Sequence, residues 1–183
     1  MACGAIERPL VFSGNDRPGV MLAGAVGVYV NRYAVLPGRR AVFVTNNDAA
    51  YLDAIALAKA GAHVTLADLR AQGGVHVMEQ ARAAGIQVQL ATAVVHAQGG
   101  HRVTSCLLAP FDIAQGRVTG PGTTQAVDLV AMSGGWTPTV HLTSHRNIKP
   151  VYQPDIACFV PGGFDRAHFG AGAMVGTQTL ASA

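Results

Sequence analysis

Apolar residues recur along the chain in two rhythms, and the change of rhythm divides it. Arg39 to Thr45 reads as a buried strand, with Ala41 to Val44 apolar without a break. Asp48 to Ala60 follows as a helix with Leu52, Ile55, Ala56 and Leu57 on a helical stripe. Gly61 is the expected stop, and His63 to Ala67 reads as a second strand. Together these make a β-α-β unit of about 30 residues, the length a right-handed parallel crossover requires. Val75 to Ala84, closed by Gly85, repeats the helix, and Val88 to Leu90 predicts a third parallel strand. That order is half of a Rossmann fold.

Beyond Leu90 no helix separates the apolar runs. Ala93 to His96, Arg102 to Leu108 and Ala126 to Met132 are parted by "QGG" and "GRVTGPGTTQ", which predicts short antiparallel strands. The expected fold class is therefore α/β: a three-layer, Rossmann-like domain of the FAD/NAD(P)-binding type, with a parallel sheet and a small antiparallel meander. This combination resembles the pyridine-nucleotide domain of two-dinucleotide-domain flavoproteins.

The flanks read differently. "GAIERPLVFSGNDRPGV" is loop and turn, leading through Pro18 as a first-turn residue into an apolar helix from about Val20 to Tyr33. "VYQPDIACFVPGGFDRAHFGAGAMVGTQTLASA" predicts a short strand, a glycine-rich bend and the start of a helix. Neither flank alternates enough to build a sheet of its own. The expected division is 1–36 and 141–183 as pieces of a first dinucleotide-binding domain, with 37–140 as the central one. "ACGAIERP" and "MSGGWTP" echo each other, as two crossovers between such domains would.

Composition sharpens this picture. Half of the 183 residues are hydrophobic and only 13% are charged, so part of the surface is expected to face another polypeptide. No run approaches the roughly 18 apolar residues of a membrane span. The net charge of +3 comes from scattered arginines without interleaved aromatics, which gives no basis for a nucleic-acid partner. Cys3, Cys106 and Cys158 form no Cys-x-x-Cys pair, and "MACGAIERPL" carries no export signal. A cytoplasmic setting and no redox disulfide are expected.

The candidate chemistry lies at strand ends. "VFVTNNDAAY" stands where a glycine-rich phosphate loop would be, yet has no glycine. Thr45, Asn46, Asn47 and Asp48 are the candidate cofactor contacts there, although their side chains fill the room a diphosphate needs, and Asp48 is expected to cap the helix instead. Asp68 ends the second strand at the spacing of a ribose-binding acid, with Arg70 positioned to meet a 2′-phosphate or to pair with it. Gly134, Gly135 and Trp136 complete the candidate set, Trp136 in a crossover loop, over the crevice or as a packing aromatic. His141 and His145 have metal-pair spacing, but the segment reads as loop and no third ligand accompanies them. No catalytic motif appears, so catalysis by this chain's own side chains has no support in the sequence.

"GAIERPLVFSGNDRPGVMLAGAV", "VLPGRRAVFVTNNDAAY", "AGAHVTLADLR" and "LVAMSGGWTPTVHLTSH" together resemble the alpha subunit of heterotetrameric sarcosine oxidase and related amine and opine-type oxidase subunits. The likeness covers the middle of such a subunit. It implies an oxidoreductase complex in which a beta-type subunit oxidises sarcosine at a flavin, with FAD and FMN in the complex, NAD on the alpha subunit and tetrahydrofolate received by a domain absent here. On this reading the isolated chain is inactive, and it holds no cofactor if NAD sits in the first nucleotide domain. A working NAD(P)H-dependent flavoprotein reductase domain is the alternative.

Overall fold

The computed structural model describes residues 1–177. Strand β1 (Ala5–Glu7) comes first, and β2 (Val20–Leu22) runs directly into helix α1 (Ala23–Tyr33). Then follow β3 (Arg40–Thr45), α2 (Ala49–Lys59), β4 (His63–Asp68), α3 (Val75–Ala83) and β5 (Gln87–Gln89). Next come β6 (Thr92–Gln98), β7 (Ser105–Asp112), β8 (Arg117–Val118), β9 (Thr123–Ala126) and β10 (Leu129–Ser133). The remaining elements are β11 (Trp136–Pro138), α4 (His141–Ser144), β12 (Pro150–Gln153) and β13 (Cys158–Pro161), with 3-10 turns at Pro154–Ile156 and Gly172–Val175.

The chain forms two compact units, 1–8 with 136 onward, and Pro9–Gly135. In the larger unit five parallel strands run in the order β2-β10-β3-β4-β5. Alternation along β3 explains the layers. Ala41 and Phe43 face α1, α2 and α3 together with Leu66 and Leu129, while Val42 and Val44 face the opposite core with Val94, Cys106, Leu108 and Val130. That second core is roofed by an antiparallel meander in which β7 pairs β6, β8 and β9. The three-layer α/β expectation is met.

Several local expectations are corrected. Ala126 to Met132 is two strands: Thr123–Ala126 joins the meander, and Leu129–Ser133 crosses back to pair in parallel with β2 and β3. All five residues of β10 are buried, the signature of a central parallel strand. Val20–Leu22 is the edge strand β2, so Pro18 precedes a strand and the helix begins at Ala23. Leu52 is exposed, and α2 instead buries Ala50, Tyr51, Ala54, Ile55 and Leu57.

In the smaller unit β1 and β11 pair antiparallel, with Glu7 opposite Trp136 and Ala5 opposite Pro138. The two echoing sequences thus lie side by side. Trp136 sits in a strand rather than a loop. β12 and β13 form a hairpin, and the helix expected at the end of the chain contributes a single 3-10 turn at Gly172–Val175, with 178–183 outside the described residues.

Candidate functional site

Carboxyl ends of parallel strands are where open α/β sheets build their ligand crevices. Here β3 ends at Thr45, β4 at Asp68 and β10 at Ser133, and Thr45 is in register with both Asp68 and Ser133. All three are fully buried. Register alone therefore assembles the sequence-predicted Thr45–Asp48, Asp68, Gly134 and Gly135 at one edge of the sheet. Trp136 belongs to the other compact unit.

Three amides of the segment after β3 find acceptors within the protein. The Asn47 amide donates to Thr45 Oγ1 at 3.1 Å, and the Ala49 amide to Asn47 Oδ1 at 3.1 Å. The Asn46 amide donates to the Ser133 carbonyl at 3.4 Å. Asn47 Nδ2 reaches Ser133 Oγ at 3.1 Å, and Asn46 Nδ2 reaches the Gly134 carbonyl at 3.4 Å. Three amides at the position of a phosphate loop thus donate inside the protein. Asn47 supplies the side-chain acceptor at the start of α2 that was expected from Asp48, which makes no side-chain cap bond.

Asp48 is used elsewhere. Its Oδ1 accepts from Arg70 Nη2 at 2.6 Å and from the Gly74 amide at 3.2 Å, tying the loop after β3 to the loop after β4. Arg70 also grips Asp68. Nε and the backbone amide donate to Oδ1 at 3.0 and 2.9 Å, and Nη2 donates to Oδ2 at 2.8 Å. Tyr51 Oη donates to the same Oδ2 at 2.8 Å. Each oxygen of the inaccessible Asp68 carboxylate thus has two donors, and Arg70 pairs with Asp68 rather than awaiting a phosphate.

Burial and the Asp68 carboxylate raise the Tyr51 pKa, so its phenol stays protonated as a donor. Burial alone would lower the Arg70 pKa, but its bonds to Asp68 and Asp48 raise it above its ordinary value. The sequence reading missed Tyr51 and Ser133. Their signals are faint: Tyr51 stands three places after Asp48, and Ser133 closes the apolar run "LVAMS".

The two candidate histidines belong to the smaller unit. His141 and His145 are both exposed on one helical turn, where a loop was expected. No group of three metal-ligating side chains occurs among the described residues.

Comparison with known proteins finds relatives along the whole of this chain. The alpha subunit of sarcosine oxidase from Rhizobium meliloti (strain 1021) is 40% identical over all 183 residues, and that of Corynebacterium sp. (strain P-1) 37% identical over the same span. This chain is homologous to a segment of the sarcosine oxidase alpha subunit. It spans 17 and 19% of the length of those relatives. No family model matches it. Among solved structures, thioredoxin reductase from T. acidophilum superposes with a TM-score of 0.72 at 16% identity, covering 98% of this chain and 58% of the reductase. At that identity the likeness is one of fold, the FAD/NAD(P)-binding Rossmann type. No described helix is long and apolar enough to cross a membrane.

Proposed function

We propose that this chain is the pyridine-nucleotide-like segment of a sarcosine oxidase alpha-type subunit, a Rossmann-shaped body that serves the complex without seating a dinucleotide. The observation that carries this reading is the self-satisfied crevice. The amides of Asn46, Asn47 and Ala49 are spent internally, and Asp68 is sealed beneath Arg70 and Tyr51. A diphosphate here would have to displace those bonds, and a ribose would find no free lone pair on Asp68. The residues of this crevice therefore do not fit NAD, and no redox step is assigned to them.

In this role the chain belongs to an oxidoreductase complex that demethylates sarcosine or a related amine oxidatively. The flavins, FAD and FMN, and the NAD of the complete assembly are held outside the crevice described above, and a beta-type subunit is the proposed partner. Residues 1–8 and 136–183 would join a first dinucleotide-binding domain of the same subunit. The family homology over the whole chain supports the assignment.

Calorimetric titration of the chain with NAD tests the proposal, with no saturable heat expected. Micromolar binding would overturn it and favour an NAD(P)H-dependent reductase domain.

A further inference from the structure

Helix α1 has two faces of opposite character. Ala23, Val26 and Gly27 are buried against the core. Val28, Tyr29, Tyr33 and, just past the helix, Val35 keep between 42 and 58% of their surface exposed. Four large apolar side chains within eight positions form a contiguous patch, unlike the scattered apolar residues normal on a monomer surface.

The patch is shallowly dished. One depression of about 450 Å³ lies between Tyr29, Val35, Met21 and Pro18, and another of about 630 Å³ between Tyr29, Val35, Val28 and Tyr33. Because both are walled by Tyr29 and Val35, they form one trough along the outside of α1. Its two tyrosine rings stand 6.3 Å apart. Tyrosine offers large contact area at low entropic cost and is enriched among residues that anchor interfaces.

The rim of the trough is cationic. Arg102 lines one end, and the Arg32 guanidinium lies 5.6 Å from the Tyr33 ring centroid at the other. No carboxylate lines either depression, and the sequence of α1 contains none. This pattern discriminates between occupants. A second copy of the chain, docking the same face about a two-fold axis, would set the Arg32 end of one copy against the Arg102 end of the other, cation facing cation, in a molecule of net charge +3. A flat lipid surface would leave the trough unfilled. A helix with an apolar ridge between carboxylates fills the depressions and pairs both arginines.

We infer that the α1 trough is a docking site for an acidic amphipathic helix of a partner polypeptide. Its occupancy is independent of whether the crevice at the carboxyl ends of β3 and β4 holds a nucleotide, so failure of the NAD titration above and failure of docking are separate results.

The test is a titration of the isotope-labelled chain, followed by amide resonances. One probe is a synthetic helical peptide with leucines at every third or fourth position flanked by glutamates, and the other is the same peptide with lysines for glutamates. The glutamate peptide is expected to give saturable shifts centred on 28–35, and the lysine peptide to bind at least about tenfold more weakly. Arg32→Glu with Arg102→Glu should cost the glutamate peptide about tenfold or more, and Tyr29→Ser a similar factor, with core resonances unmoved. The arginine pair is largely solvent-facing chemistry and keeps the test alive should Tyr29→Ser perturb the fold. Equal affinity for both peptides, no saturable shift, or shifts centred elsewhere would overturn the inference. So would self-association abolished by the arginine reversals, or preference for anionic vesicles over the peptide.

Discussion

At the carboxyl ends of β3 and β4, the polar side chains of Asp48, Tyr51, Asp68 and Arg70 answer one another. On the outer face of α1, four large apolar side chains stand open to solvent. Both regions belong to one compact unit. A nucleotide crevice ordinarily keeps donors and acceptors free for its ligand, whereas a docking face keeps apolar surface free for a partner. This unit shows the second kind of readiness in full and little of the first. On the proposed reading, its Rossmann architecture serves assembly rather than cofactor chemistry.

The comparison can be broken most forcefully at Asp68. Asp68→Ala strands the Tyr51 hydroxyl and leaves Arg70 with Asp48 as its one carboxylate partner, and should cost about 3 kcal/mol, read as a lowered urea midpoint. An unchanged midpoint would mean the cluster is not the structural tie proposed. Gly27→Ala comes next. A methyl group there would meet the Asp53 carboxylate where α1 packs on α2 and force it to swing aside, so a loss of about 1 kcal/mol is expected despite the better helix propensity of alanine, checked by thermal unfolding. Asp48→Ala removes the bonds to Arg70 and Gly74 but leaves Asp68 paired. About 1 kcal/mol should be lost, with faster hydrogen exchange confined to the 69–74 loop.

The smallest effect concerns alkali. Burial pushes the Cys106 thiol up to about 12 from an ordinary value of 9.0, and Tyr51 is raised as well. Both groups titrate at lower pH when unfolded than when folded. Their contribution to stability is complete below pH 9 and is lost as pH rises through the folded values. Chemical denaturation at pH 7 and pH 10 reads this difference, and equal stability at the two would contradict the burial of these groups.

Much of the sheet was legible because its strands are long enough to show their burial. Ala41 to Val44 is an unbroken apolar run, Val64 to Ala67 is interrupted only by Thr65, and glycines close the helices that follow. The return of β10 to the sheet was hidden because Ala126 and Leu129 are separated by only Val127 and Asp128, too short a gap for a sequence to reveal a change of layer. Leu52 misled for the opposite reason, as its apolar side chain lies on the solvent side of α2. At the crevice, the missing glycines and the Asp68–Arg70 pairing could be read from spacing. The roles of Tyr51 and Ser133 could not, since Tyr51 reaches Asp68 through the packing of α2 on the sheet and Ser133 reaches Asn47 through the register of β10 with β3.

The most direct test watches the amide resonances of Asn46, Asn47 and Ala49 while NAD is added in excess to the labelled chain. A crevice satisfied by its own side chains leaves them in place. A saturable shift centred on those three amides would show that a diphosphate does enter, and the account of this domain as a body shaped for assembly would be contradicted.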